Sequence, residues 1–90
     1  MNMKARIESR LREAFQPSEL EVIDESEQHR GHGGWREGGE THFRVRMVSD
    51  SFAGQSRVAR QRAVNACLKE ELATTVHALA MELSPPDVYQ

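Results

Sequence analysis

Ninety residues carrying 12 Lys and Arg against 14 Asp and Glu describe one small domain of formal charge −2, with no global field to hold a polyanion. A chain of this size buries roughly 60–65% of its unfolded surface, enough for a core but not for a deep catalytic cavity. A single cysteine, Cys67, excludes an intramolecular disulfide framework and fits a reducing compartment, and no apolar run approaches the ~20 residues of a membrane span, so the expected location is the cytoplasm.

From the N-terminus, Met3, Ile7, Leu11, Ala14 and Phe15 form an apolar stripe with arginines elsewhere, as an amphipathic helix requires, and Pro17 stops it. Glu8 and Glu13 interrupt the positive charge that a transit peptide would keep, so this helix reads as part of the fold. Residues 20–23 are a short strand. The stretch 29–42 then gathers five of the six glycines and three of the four histidines, His29, His32 and His42, together with the sole tryptophan, Trp35. No regular element suits it, and it reads as a mobile arm. Residues 41–49 alternate, with Phe43, Val45 and Met47 on one side and His42, Arg44 and Arg46 on the other, which predicts a half-buried strand antiparallel to the first.

Residues 50–56 are a turn with Gly54 as hinge and Ser56 as N-cap. A helix over 57–72 places Val64, Cys67, Leu68 and Leu72 on one face, with Arg60 extending that line. A third strand over 76–83 puts His77, Leu79, Met81 and Leu83 on one side. Ser84, Pro85, Pro86 and Asp87 have the pattern of a cap and first turn for a short terminal helix. The order helix, strand, strand, helix, strand predicts a two-layer α+β domain over 1–90, helices on one face of a three-stranded mixed sheet, because the strand–helix–strand unit needs a crossover between parallel strands.

His77 near the start of a core strand is compatible with packing and with metal ligation. His29 and His32, three apart, do not by themselves form a strong ligand spacing. Cys67 lies on the apolar helix face and is expected to be buried. Arg57, Arg60 and Arg62 crowd the start of a helix whose dipole opposes them, so they suit either a solvated face or a contact with carboxylate, thiol cofactor or phosphate. Trp35 is placed for a partner contact or for folding back on the sheet. There is no catalytic triad, phosphate-cradling loop or paired carboxylate, and an enzyme is not expected. A structural zinc site from His29, His32, His42 and Cys67 would need the helix to meet the arm.

Six blocks in order carry a resemblance: Glu25-Ser26-x-x-His29; Glu40-Thr41-His42-Phe43-Arg44-Val45; Val48-Ser49-Asp50; Phe52-Ala53-Gly54-x-Ser56-Arg57-Val58-x-Arg60; Glu70-Glu71-Leu72; and Val76-His77-Ala78-Leu79-Ala80. Together they resemble the BolA family over residues 7–86. The resemblance implies a K-homology-like α+β fold and an adaptor in iron–sulfur cluster trafficking or iron-homeostasis signalling. Such an adaptor pairs with a monothiol glutaredoxin and shares a bridging [2Fe–2S] cluster with it. By that resemblance His77 and the loop histidine His29 are the metal ligands, with His32 as the alternative because this arm is long and glycine-rich. The partner's cysteine and glutathione supply the thiolates, and the isolated protein, a monomer, holds no cluster. Gln61 and Val88 depart from the family pattern. The alternative is a DNA-binding transcriptional regulator in which Arg57, Arg60 and Arg62 contact phosphates, although the turn at 52–56 lacks the GXXG loop that clamps a nucleic-acid backbone.

Overall fold

A computed structural model describes residues 2–25 and 41–86 of the chain. The first helix, α1, spans Met3–Phe15 and buries Met3, Ile7 and Leu11, three members of its predicted stripe. Asn2 caps it, its side-chain oxygen accepting from Ala5 N–H at 2.8 Å. At the other end Gln16 takes a left-handed conformation, φ 46°, and donates its N–H to Arg12 O at 3.0 Å. Pro17 follows, whose ring cannot continue the helix.

Strand β1, Glu19–Asp24, pairs antiparallel with β2, His42–Val48, placing Val22 opposite Val45. Strand β3, Ala78–Ser84, pairs parallel with β2, so the sheet is mixed, three-stranded and ordered β1-β2-β3. The predicted alternation of β2 holds at its centre: Phe43, Val45 and Met47 are 0–1% exposed, while Arg46 is open to solvent. These three side chains belong to one apolar cluster with Ile7 and Leu11 of α1 and with Val64 and Leu68, so the helices share their core with one face of the sheet. His42 departs from the alternation. Predicted on the outer side, it is only 7% exposed, and its carbonyl accepts from Glu25 N–H at 2.7 Å where β1 ends.

Between β2 and the next helix, a single turn of 3-10 helix over Asp50–Phe52 buries Phe52 completely. Ser49 anchors this corner: its hydroxyl donates to Phe15 O at 2.6 Å and its N–H to Ser84 O at 3.0 Å, joining the end of α1 to the ends of β2 and β3. Gly54 has φ +77°, the left-handed region that favours glycine, which fits its predicted role as hinge. Ser56 caps helix α2, Arg57–Cys67, accepting from Ala59 N–H at 3.1 Å. Replacing Ser56 by Ala is expected to cost about 1 kcal/mol of stability, read as a lower urea midpoint with unchanged slope.

Two predicted elements and the predicted burial of Cys67 need correction. The helix expected over 57–72 divides at Leu68, φ −99° and ψ 20°, into α2 and a one-turn helix α3, Lys69–Leu72. Leu68 N–H still bonds Val64 O at 3.0 Å and Leu72 N–H bonds Leu68 O at 2.9 Å, so this is a bend rather than a gap. Packing accounts for it, since both Leu68 and the carboxylate of Glu71 are drawn into the interior. The third strand begins at Ala78, not at residue 76; Val76 is core and His77 lies exposed just before the strand, off the shared apolar side predicted for it. Cys67 is half-buried rather than buried, its thiol donating weakly to Arg10 O at 3.6 Å, and burial is the first cause that raises its pKa. The short terminal helix expected after Ser84 falls mainly on residues outside those described; Pro85 and Pro86 themselves are not helical.

Candidate functional site

Parallel pairing sets the starts of β2 and β3 side by side, with His42 opposite Ala78. Thr41 O accepts from both His77 N–H, at 2.7 Å, and Ala78 N–H, at 3.2 Å, and this shared carbonyl fixes the backbone of His77 against the central strand. The His42 and His77 rings stand 6.4 Å apart between centroids, tilted by 34°. The two imidazoles differ in surroundings. His42 is buried, with Nδ1 2.8 Å from Thr41 Oγ1, which fixes its ring whichever atom donates. His77 is exposed, and among the described residues no hydrogen bond engages its ring, which leaves a ring nitrogen to offer.

The same end of the sheet holds both points where segment 26–40 joins it. Asp24 pairs with Phe43, the last residue pair of the β1–β2 ladder, and Glu25 and Thr41 are the described residues on either side of that segment. Glu25 is tied down as well: Arg44 Nε donates to its Oε2 at 3.0 Å, and this hydrogen bond, followed by the charge of Glu25, raises the Arg44 pKa. The described residues on either side of segment 26–40, Glu25 and Thr41, therefore lie at the same end of the sheet as His77. His29, His32 and Trp35 themselves lie outside the described residues.

The predicted arginine group is not one surface. Arg57 and Arg62 are exposed, whereas Arg60 is half-buried and donates from Nη1 to Leu83 O at 3.2 Å. The zinc reading is not supported among the described residues: Cys67 lies against α1, His42 lies against Thr41 and His77, and no three His, Cys, Asp or Glu side chains gather. Sequence reasoning missed His42 as the neighbour of His77. The parallel register that joins them follows from the crossover, but a single-residue shift in where β3 begins decides which ring meets which.

A mixed three-stranded sheet backed by helices, with an exposed imidazole at its edge, defines a small domain of the α+β class. The family model for BolA-like protein matches residues 11–87. Among proteins of known sequence, this chain is 55% identical over 87 residues to the Sinorhizobium sp. uncharacterized protein in cobS 5'region, covering 96% of this chain and 94% of that one. It is 49% identical over 81 residues to the DNA-binding transcriptional regulator BolA of Escherichia coli, covering 90% and 73%. Among solved structures, the BolA domain of SufE1 from Arabidopsis thaliana superposes with a TM-score of 0.86 at 42% identity, covering 96% and 94%. The chain belongs to the BolA family, whose members are regulators or adaptors rather than enzymes.

Proposed function

We infer that this protein is an adaptor that binds a monothiol glutaredoxin and shares with it a bridging [2Fe–2S] cluster. The observation that carries this reading is the exposed, unengaged imidazole of His77, held by its own backbone beside the two roots of a histidine-bearing arm. The donor set fits such a group. Two neutral imidazoles from this chain, His77 with His29 or His32, complement two thiolates from the partner and glutathione, and histidine in place of thiolate raises a cluster's reduction potential. His77 offers one ligand from a rigid strand entry, the arm offers the second, and His42 and Thr41 fix the surroundings of the first.

Anaerobic reconstitution with a monothiol glutaredoxin and glutathione tests the reading by visible absorption and circular dichroism. Wild type is expected to give a spectrum distinct from that of glutaredoxin alone, lost in His77→Ala and in one of His29→Ala and His32→Ala. His77→Ala leaves folding stability within about 0.5 kcal/mol, because an exposed ring without a hydrogen bond contributes little to it. Unchanged spectra in all three variants would sink the adaptor reading.

A second reading, a DNA-binding regulator, draws support from the Escherichia coli relative, a DNA-binding transcriptional regulator. Arg57 and Arg62 are free to meet phosphates, while Arg60 is already engaged by Leu83 O. Phosphate contacts predict affinity that falls steeply with salt, and each arginine removed lowers the slope by about one. Binding to single- or double-stranded DNA that is absent or insensitive to salt would remove this reading.

A further inference from the structure

The far end of β3 carries a second surface. Ala78 N–H and Ser84 O both bond towards β2, so residues 78, 80, 82 and 84 turn their backbone groups inward along the ladder. Alternation then turns those of Leu79, Met81 and Leu83 outward, along an edge that no described strand covers. Of these outward groups, Leu83 O is the one with a partner, Arg60 Nη1. Beside this edge, between β3 and the start of α2, opens a cleft of about 350 Å³, at the small end of the ~300–1,000 Å³ typical of ligand pockets.

The walls of the cleft combine apolar and positive character. Met81 and Leu83 supply apolar surface, Gln61 an amide, and Arg46, Arg57 and Arg60 three positive charges against the single carboxylate of Glu82. Glu82 is partly offset by Arg44, and Arg46 is partly offset by Glu19, whose Oε1 lies 3.8 Å from its Nη1, so Arg57 and Arg60 carry the surplus. Among the described residues, Arg57 is exposed with no hydrogen-bond or ion-pair partner, and Arg60 Nε is buried without an acceptor. Free main-chain donors in a row, apolar footholds and a surplus of guanidinium together match an extended chain bearing carboxylates.

We propose that this groove docks an extended acidic segment of a partner protein, which adds as a fourth strand beside β3 and sets a carboxylate against Arg57 and Arg60. Met81, the first groove residue on β3, lies four residues past His77, roughly 13 Å along the strand, so the arginine-lined end of the docked segment is set apart from a partner engaged at His77. Pro85 and Pro86 end the edge just past Ser84 and limit the added strand to a few residues.

The test uses the full chain and a synthetic peptide of alternating Val and Glu, with three controls: the same peptide with Lys for Glu, the same peptide N-methylated at alternate amides, and an oligo-dT strand. The expected result is slowed amide exchange and shifted resonances at Leu79, Met81 and Leu83 with the acidic peptide. Binding weakens at least tenfold in Arg57→Glu, whose thermal unfolding is unchanged, and it is lost with N-methylation in one of the two registers. The proposal is overturned if no β3 amide responds at millimolar peptide, if the Lys peptide or both N-methylated registers bind equally well, or if oligo-dT displaces the peptide at lower concentration. It is also overturned if the same amides shift with protein concentration alone, which would make the occupant a second copy of this chain.

Discussion

Removing both Arg6 and Arg10 is expected to lower the urea midpoint of the domain sharply, a large effect for a 90-residue chain held together by roughly 5–13 kcal/mol in all. The reason is Glu71, whose side chain is 1% exposed. Its Oε2 accepts from Arg6 Nη2 at 2.9 Å and from Arg10 Nε at 3.1 Å, while its Oε1 is buried without a partner. Arg10 also reaches Glu70, and its pKa is raised first by the charge of Glu71 and then by that of Glu70. Taking the arginines away strands a carboxylate in the interior, whereas Glu71→Leu removes the charge along with the need for it. Urea unfolding of Arg6→Ala/Arg10→Ala beside Glu71→Leu checks this. The double variant should lose most of its midpoint and the leucine variant should stay within about 1.5 kcal/mol of wild type. Equal losses in the two would show that the pair itself, rather than the stranded charge, sets the cost.

Phe52→Ala is expected to cost about 3–5 kcal/mol, although the residue sits in a turn. Its ring is fully buried and packs 5.3 Å from that of Phe15, at 35° between planes, where the end of α1 meets the end of β2. Truncation empties a site walled by both elements, and the backbone bond of Phe52 N–H to Ser49 O, 3.1 Å, limits any collapse into it. Thermal unfolding should fall by well over ten degrees, on the scale of about 4–8 °C per kcal/mol for a domain near this size. A loss below 1 kcal/mol would mean that the turn repacks freely.

Periodic features were legible in the sequence because they repeat. The stripe Met3, Ile7, Leu11 marks the first helix and Pro17 its stop, the alternation of Phe43, Val45 and Met47 marks the central strand, and the crossover rule its parallel partner. Single side chains that act across the fold were not. Glu71 reads as one more solvated charge beside Lys69 and Glu70, and its partners are 61 and 65 residues away. Phe52 reads as a turn residue because nothing nearby repeats its spacing. His77 was visible as a candidate and His42 as a strand residue, but their adjacency depends on register, and the groove beside β3 depends on how α2 leans on the sheet edge. The blocks that resemble the BolA family supplied what periodicity could not, namely which of the histidines to watch.

The ladder between β1 and β2 closes with Asp24 beside Phe43 and with Glu25 N–H on His42 O, so the described ends of the chain at residues 25 and 41 are clamped together by sheet hydrogen bonds. For such a closure the entropic cost grows only with the logarithm of length, about 0.6 kcal/mol for each doubling. Under that scaling, lengthening or shortening the segment costs little global stability. In the adaptor proposed above, such a scaffold would hold His77 constant while the opposing ligand is rewritten, which separates the evolution of what the site binds from the evolution of the fold that carries it.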